Sequence, residues 1–519
     1  MFSFALSLIL YFLPSLILKQ LSCAQLIPRV LLFNDPKYSA VTLSPDGKTF
    51  GISNVYTKCH SCKYSKPVTF ENRRHISGYQ WTGVPNIILF HQDNNGDENF
   101  RLYKVNITNA LIIGNNLRDH RVLIGLNDEN PSFHNIYELD LINNQMRMIF
   151  HNQRFPAKIV VDNNLKIRMV VEEALDGSLV YYKLSDSANP SRLTSDRLNW
   201  VEYLRVPSED RALTLPISFT QDNQKIYWQW GADTDLGQLV VHDFGRPEQN
   251  EVLYTAQKAQ IGGVIFHPIE RTVLSVTEIY HKPDIYVANT TVLTPLLGPA
   301  QLHGDRLELA RQGMLPKKPQ RLIVLIHGGP KLRDFFGFAA INAWLTSRGY
   351  AVLQVNFRGS VGFGKNLTNA GNGEWGRKMH QDLLDGIDFL VHNGFWRKYI
   401  IKLNIYFKGI ADKRQIAIMG GSYGGYATLV GMTGFYKDMT TMLDQFVAAL
   451  MKNHIPVTYI VFPDEGHGPR KPHNTLAMAG FIEEFLHKCL HGDVEPFHLG
   501  NLQTFILSIL KYFYFLRSI

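Results

Sequence analysis

Residues 414–428 read RQIAIMGGSYGGYAT: an apolar strand-like run, then Gly-x-Ser-x-Gly at 420–424, then a helix-forming segment. A strand that enters a helix with no intervening loop must turn sharply, so small glycines flank the serine. Its hydroxyl is then presented at the C-terminal edge of the strand, with the helix N-terminus beneath it. A Gly/Ser-rich turn without chemistry would not need both the apolar strand and the helix at this spacing. The stretch therefore predicts an α/β-hydrolase with Ser422 as nucleophile.

The flanking sequence repeats the same alternation. RLIVLIHGGP from Arg321 is a buried strand followed by a glycine loop, AAINAWLTSRGY reads as a helix, and AVLQVNFRGS as a second strand. MHQDLLDGIDFLVHN gives another helix, VTYIVFP another strand and HNTLAMAGFIEEFLHKCL a closing helix. Strand–helix repetition of this kind predicts a doubly wound, mostly parallel sheet, assigned here to 306–496. The loop His327-Gly328-Gly329-Pro330 follows the first strand, where this fold places a backbone N–H facing the nucleophile; with the N–H of Tyr423 it makes an oxyanion hole. His467, in FPDEGHG directly after the strand VTYIVFP, is the loop-borne general base. His380, His392, His454, His473, His487 and His491 lie on helical faces or tails and are read as non-catalytic.

The triad acid is not legible. The fold's chain order is serine, acid, histidine, with the acid in a loop after a strand of its own. Between Ser422 and His467 no apolar strand is followed by an Asp-bearing loop. The carboxylates in reach are Asp438, Asp444, Asp464 and Glu465, none in the expected setting.

From Ile27 to Ile285 short strand-like runs alternate with polar turns, and no amphipathic helix interrupts them. LSPDGKTFGIS from Leu43, FHNIYELDLINNQMRMIF from Phe133 and ISFTQDNQKIYWQW from Ile217 share a turn-then-two-strands shape that recurs at roughly the period of a propeller blade. Residues 25–305 are expected to be all-β, a propeller with degenerate blades; a two-sheet sandwich would give similar alternation.

The chain has 519 residues and a formal net charge of +8, but no basic run or aromatic-interleaved basic stripe, so nucleic acid is not an expected partner. Residues 1–24 are an apolar stretch ending in a small-x-small pattern at Ser22 and Ala24, read as a secretory signal or, alternatively, an uncleaved membrane anchor. Of four cysteines, Cys23, Cys59, Cys62 and Cys489, the pair Cys59-His-Ser-Cys62 lacks the second CxxC of a zinc site and is read as a local disulfide or two free thiols. The sequons at Asn106, Asn289 and Asn366 are compatible with a secreted glycoprotein.

The C-terminal part resembles the prolyl oligopeptidase family of serine peptidases, nearest its acylaminoacyl-peptidase and dipeptidyl-peptidase-like branch. The matching stretches are IHGGP at 326–330, SRGYAVLQVNFRGSVGFGK from Ser347, NAGNGEWGRKMHQDLLDGIDFLV from Asn369, IADKRQIAIMGGSYGGYATLVG from Ile410, and IPVTYIVFPDEGHG from Ile455. The resemblance implies an N-terminal β-propeller, Ser422 as nucleophile, His467 as general base, and the backbone N–H groups of Gly329 and Tyr423 as oxyanion donors. It implies peptide substrates and neither metal nor organic cofactor.

Two places depart from the pattern. The family's acid-bearing segment is expected near Phe435 and Tyr436, where the chain jumps abruptly, so a deletion is assigned near 434–437. FWRKYIIKLNIYFK at 395–408 is an insert, and it shares with the tail at 497–519 the Ile/Tyr/Phe/Lys bias of translated non-coding sequence. The reading is a serine peptidase hydrolysing oligopeptides; a catalytically impaired binding protein and an esterase of the same fold are the alternatives.

Overall fold

The computed structural model describes, apart from short gaps, residues 26–33, the strands within 42–115, and 120–287; in the second half it describes 319–392, 411–433, 457–469, 471–496 and 509–511. Segments 1–24, 395–408 and 434–437 lie outside the described residues, as do Cys23, Cys62, Asn106, Asn289, Asp438, Asp444 and Asp464.

Among the described residues, six small sheets follow one another between Thr42 and Val287, built from antiparallel strands that are neighbours in sequence, apart from one short strand that joins the preceding sheet in parallel. The alternation of side chains along a strand gives a sheet two apolar faces, and from the second sheet to the sixth these faces pack between neighbouring sheets. Leu89 and Leu102 of the second sheet meet Val122, Ile124 and Leu139 of the third. Leu123, Ile136 and Phe150 of the third then meet Ile167, Val170 and Trp200 of the fourth. Val160, Met169 and Tyr181 of the fourth meet Phe219, Ile226 and Trp228 of the fifth, and Leu239 of the fifth meets Ile261 and Val276 of the sixth. A core divided into slabs between successive sheets is the packing of a β-propeller, and a two-sheet sandwich would instead have a single shared slab. One stitch joins neighbouring sheets: Leu193–Thr194, which lies between two strands of the fourth, pairs in parallel with Phe150 and His151 at the edge of the third.

The second domain is a layered α/β unit. Strand β1 (Gln320–Ile326) lies between β2 (Ala351–Leu353) and β3 (Ala411–Gly420), both parallel to it. Successive residues of β1 face opposite layers. Leu322, Val324 and Ile326 pack with Met379, Leu383 and Leu390 of the helix Lys378–His392 and with Tyr423, Ala427 and Val430 of the helix Tyr423–Thr433. Ile323 packs on the other side with Trp344 and Leu345 of the helix Ala340–Ser347 and with Ala479, Leu486 and Leu490 of the helix Pro472–Leu490. This is the doubly wound sheet expected from the alternation.

The strand expected from VTYIVFP departs from that expectation. Thr458–Ile460 pairs antiparallel with Ile509–Lys511 in a separate two-stranded sheet. The tail strand takes one of its two edges, and among the described residues no pairing joins it to β1, β2 or β3.

A short helix, Arg29–Phe33, falls within the stretch read as propeller but docks on the hydrolase. Phe33 meets Trp344 edge-on at 5.0 Å. Arg29 forms an ion pair with Glu483 at 3.1 Å, and Arg348 pairs with the same carboxylate at 3.1 Å. Trp344 Nε1 donates to Glu483 at 2.8 Å. Burial alone would raise the Glu483 carboxyl, but hydrogen bonds from the Glu495 N–H, the indole and Arg348 outweigh it and hold the group below its ordinary range.

The two domains meet through an ion pair and hydrogen bonds. Lys365 Nζ donates to Asp210 at 2.6 Å and to the Gly231 carbonyl at 2.9 Å. Gln260 and Gly362 bond to each other twice, Gln260 N–H to the Gly362 carbonyl at 3.1 Å and Gly362 N–H to Gln260 Oε1 at 2.7 Å.

Candidate active site

Gly421 and Ser422 alone join β3 to the helix Tyr423–Thr433, Ser422 with φ at 55°. A non-glycine residue in this left-handed region costs on the order of 1–3 kcal/mol and persists only where its surroundings impose it. The surroundings are tight. A Cβ on Gly420 would lie 2.5 Å from Gly424 C, and one on Gly424 would lie 2.1 Å from the Ile326 carbonyl oxygen at the end of β1. Larger residues at either position would push the helix off the sheet, which is why the motif has glycine on both sides. Ser422 itself is exposed.

The loop after β1 lies against this turn. A Cβ at Gly328 would come within 3.3 Å of Ser422 Cβ and 3.1 Å of the Gly421 carbonyl oxygen. Gly329 has φ +46°, and its carbonyl accepts the Leu332 N–H at 2.9 Å, closing a turn. Tyr423 opens its helix, where first-turn N–H groups have no intrahelical partner and carry the positive end of the dipole. Its ring is buried against Phe357, Trp375 and Tyr426, and burial pushes its phenol well above the usual range. His327 is occupied structurally: it stacks on Phe357 with centroids 4.5 Å apart, and its Nε2 lies 3.0 Å from Ser360 Oγ.

His467 is exposed in the turn before the helix Pro472–Leu490, where Gly468 N–H donates to the Gly466 carbonyl at 2.7 Å. The strand that leads to it is hydrogen-bonded to the tail strand, so the pairing of the main sheet does not fix its place relative to Ser422. Glu465 holds this turn to the helix, its Oε1 accepting Lys471 N–H at 2.8 Å and Asn474 Nδ2 at 2.9 Å. That carboxylate oxygen ties the turn to the start of the helix. Of the other histidines, His392 pairs with Asp388 at 2.7 Å and His487 Nδ1 lies 2.6 Å from the Gly492 carbonyl.

Arg333, four residues beyond Gly329, went unnoticed in the sequence. It is buried, donates to the Ile279 carbonyl at 2.8 Å and the Tyr280 carbonyl at 3.0 Å of the propeller, and lies 3.9 Å over the Phe363 ring. Contacts this far apart along the chain leave no local pattern. The same segment exposes Leu332, Phe335 and Phe338.

The chain matches the model of the prolyl oligopeptidase family over residues 336–439. It is 38% identical to dipeptidyl peptidase family member 6 of Caenorhabditis elegans over 690 aligned positions, covering 95% of this chain and 91% of that one. It is 26% identical to dipeptidyl aminopeptidase BIII of Pseudoxanthomonas mexicana over 643 positions, covering 91% and 90%. A solved acylaminoacyl peptidase of Pyrococcus horikoshii is 14% identical, covers 90% of this chain and 91% of that chain, and superposes with a TM-score of 0.45.

Proposed function

The chain belongs to the prolyl oligopeptidase family of serine peptidases, and from that membership we propose that it cleaves peptides through an acyl-enzyme on Ser422. His467 takes the proton from the Ser422 hydroxyl, and the oxygen attacks the scissile carbonyl. The developing oxyanion is held by the N–H groups of Gly329 and Tyr423; His467 returns the proton to the leaving amine, and water then cleaves the ester. The observation that carries this reading is the strained serine turn at φ 55° with the Gly328–Gly329 loop packed on it. Two long-matching relatives bear dipeptidyl peptidase names, which favours release of N-terminal dipeptides over internal cleavage. A panel of dipeptidyl, acylaminoacyl and ester chromogenic substrates tests this. Turnover of esters alone would contradict it.

A reduced activity is favoured by a specific set of observations. Both long alignments run past 600 positions although the chain has 519 residues, so the relatives carry segments without a counterpart here. The family match stops at residue 439, short of His467. Strand β3, at the sheet edge, is at least partly exposed from Asp412 onward, whereas β1 is buried along most of its length. We infer that a strand and the acid-bearing loop are missing near 434–437, that 395–408 and the tail at 497–519 derive from non-coding sequence, and that residues 1–24 direct secretion. A histidine without its orienting acid loses on the order of 10⁴ in kcat. Long-read transcript sequencing tests the non-coding origin: transcripts that carry 395–408, the 434–437 junction and the tail as they stand here would contradict it.

A further inference from the structure

Oxyanion donors work only when held within a fraction of an ångström of the developing charge, and a misplacement of about 1 Å costs roughly 100-fold. Gly328 and Gly329 have no side chains to fix them. Something else must hold that loop against Ser422.

The next polar anchor on the loop is Arg333. Leu332 connects the two: its N–H closes the turn onto Gly329, and its carbonyl accepts the Val361 N–H at 3.1 Å. The Arg333 guanidinium forks onto the Ile279 and Tyr280 carbonyls. It is sandwiched between Phe363 at 3.9 Å and Phe335 at 4.9 Å, and Tyr280 packs edge-on against Phe363 at 5.8 Å. The propeller side of the contact is itself braced. Glu278, fully buried, accepts the Tyr254 hydroxyl at 2.6 Å and the N–H groups of Gln257, Lys258 and Ala259 at 2.7–2.9 Å, directly before the Gln260 that grips Gly362.

We propose that Arg333 is a positioning residue through which the propeller holds the oxyanion loop, so that the geometry at Gly329 depends on domain docking. The inference rests on Gly329 acting as an oxyanion donor. A planar fork that donates to two carbonyls while stacking between two rings is a role lysine cannot fill.

The test compares Arg333→Ala, Arg333→Lys and Lys365→Ala in the full chain; the last breaks an interdomain tie elsewhere. Three quantities are read: hydrogen exchange of peptides spanning 326–335, kcat and KM on a dipeptidyl substrate, and the rate of fluorophosphonate reaction at Ser422. Arg333→Ala is expected to speed exchange of the loop several-fold and to lower kcat and the labelling rate by about 100-fold with KM within about twofold. Arg333→Lys is expected to recover only part, and Lys365→Ala to change none of the three. Unchanged loop exchange in Arg333→Ala, or an equal loss in Lys365→Ala, would overturn the clamp. Faster exchange with unchanged kcat and labelling would instead refute Gly329 as a donor, and labelling decides the matter if no peptide is turned over.

Discussion

At Ser422 the backbone is held in a conformation that glycine adopts freely and serine does not. Ser422→Gly is therefore expected to raise stability by about 1 kcal/mol while abolishing reaction with a fluorophosphonate, measured by thermal unfolding and labelling side by side. Gly424→Ala should instead lower stability, since its new Cβ would collide with the Ile326 carbonyl. Loss of a cooperative transition, or a melting temperature lowered by several degrees, checks that. These residues were legible because the reason for them is local: a sharp strand-to-helix turn constrains only its immediate neighbours. Arg333 was not legible. Its partners Ile279 and Tyr280 lie in another domain, and nothing in KLRDFF distinguishes a buried, forked arginine from a solvated one.

Among the elements, the strands and helices around the serine followed from their apolar periods. Alternate residues of β1 serve opposite layers, and the helix Lys378–His392 buries Met379, Leu383 and Leu390 on one face. The pairing of Thr458–Ile460 was not readable, because a three-residue strand has no pattern that names its neighbour. The helix Arg29–Phe33 was missed for the same reason of length, although it supplies Arg29 to a buried charge cluster with Arg348 and Glu483. In that cluster the Glu483 carboxyl is held below its ordinary value of 4.5. A group with a depressed folded-state pKa stabilises the fold above its unfolded value and loses that contribution as pH falls through the folded one. Unfolding followed against pH should thus show stability declining below about pH 4.5. Glu483→Gln should be less stable at neutral pH and show a shallower acid limb; an unchanged limb would place the acid sensitivity elsewhere.

The whole molecule is a propeller of small sheets latched to an α/β-hydrolase, and its stability is distributed among slabs between sheets. Trp228 is fully buried in the slab joining the fourth and fifth sheets and touches Tyr181 edge-on at 5.0 Å. Trp228→Ala is expected to cost about 3–5 kcal/mol by denaturant unfolding. The alternation of strands and turns announced these sheets, but their order of packing depends on which apolar face meets which, and a degenerate repeat does not encode that visibly. The proposed nucleophile, glycine loop and histidine were read from short motifs, whereas no acid could be read from the sequence between Ser422 and His467, and Asp438, Asp444 and Asp464 lie outside the described residues. The most direct measurement is intact-mass and peptide-level analysis after treatment with excess fluorophosphonate. A single adduct on the peptide containing Ser422, absent from Ser422→Ala, is the predicted result; no adduct on the folded protein, or an adduct on another residue, would contradict the assignment of Ser422 as nucleophile.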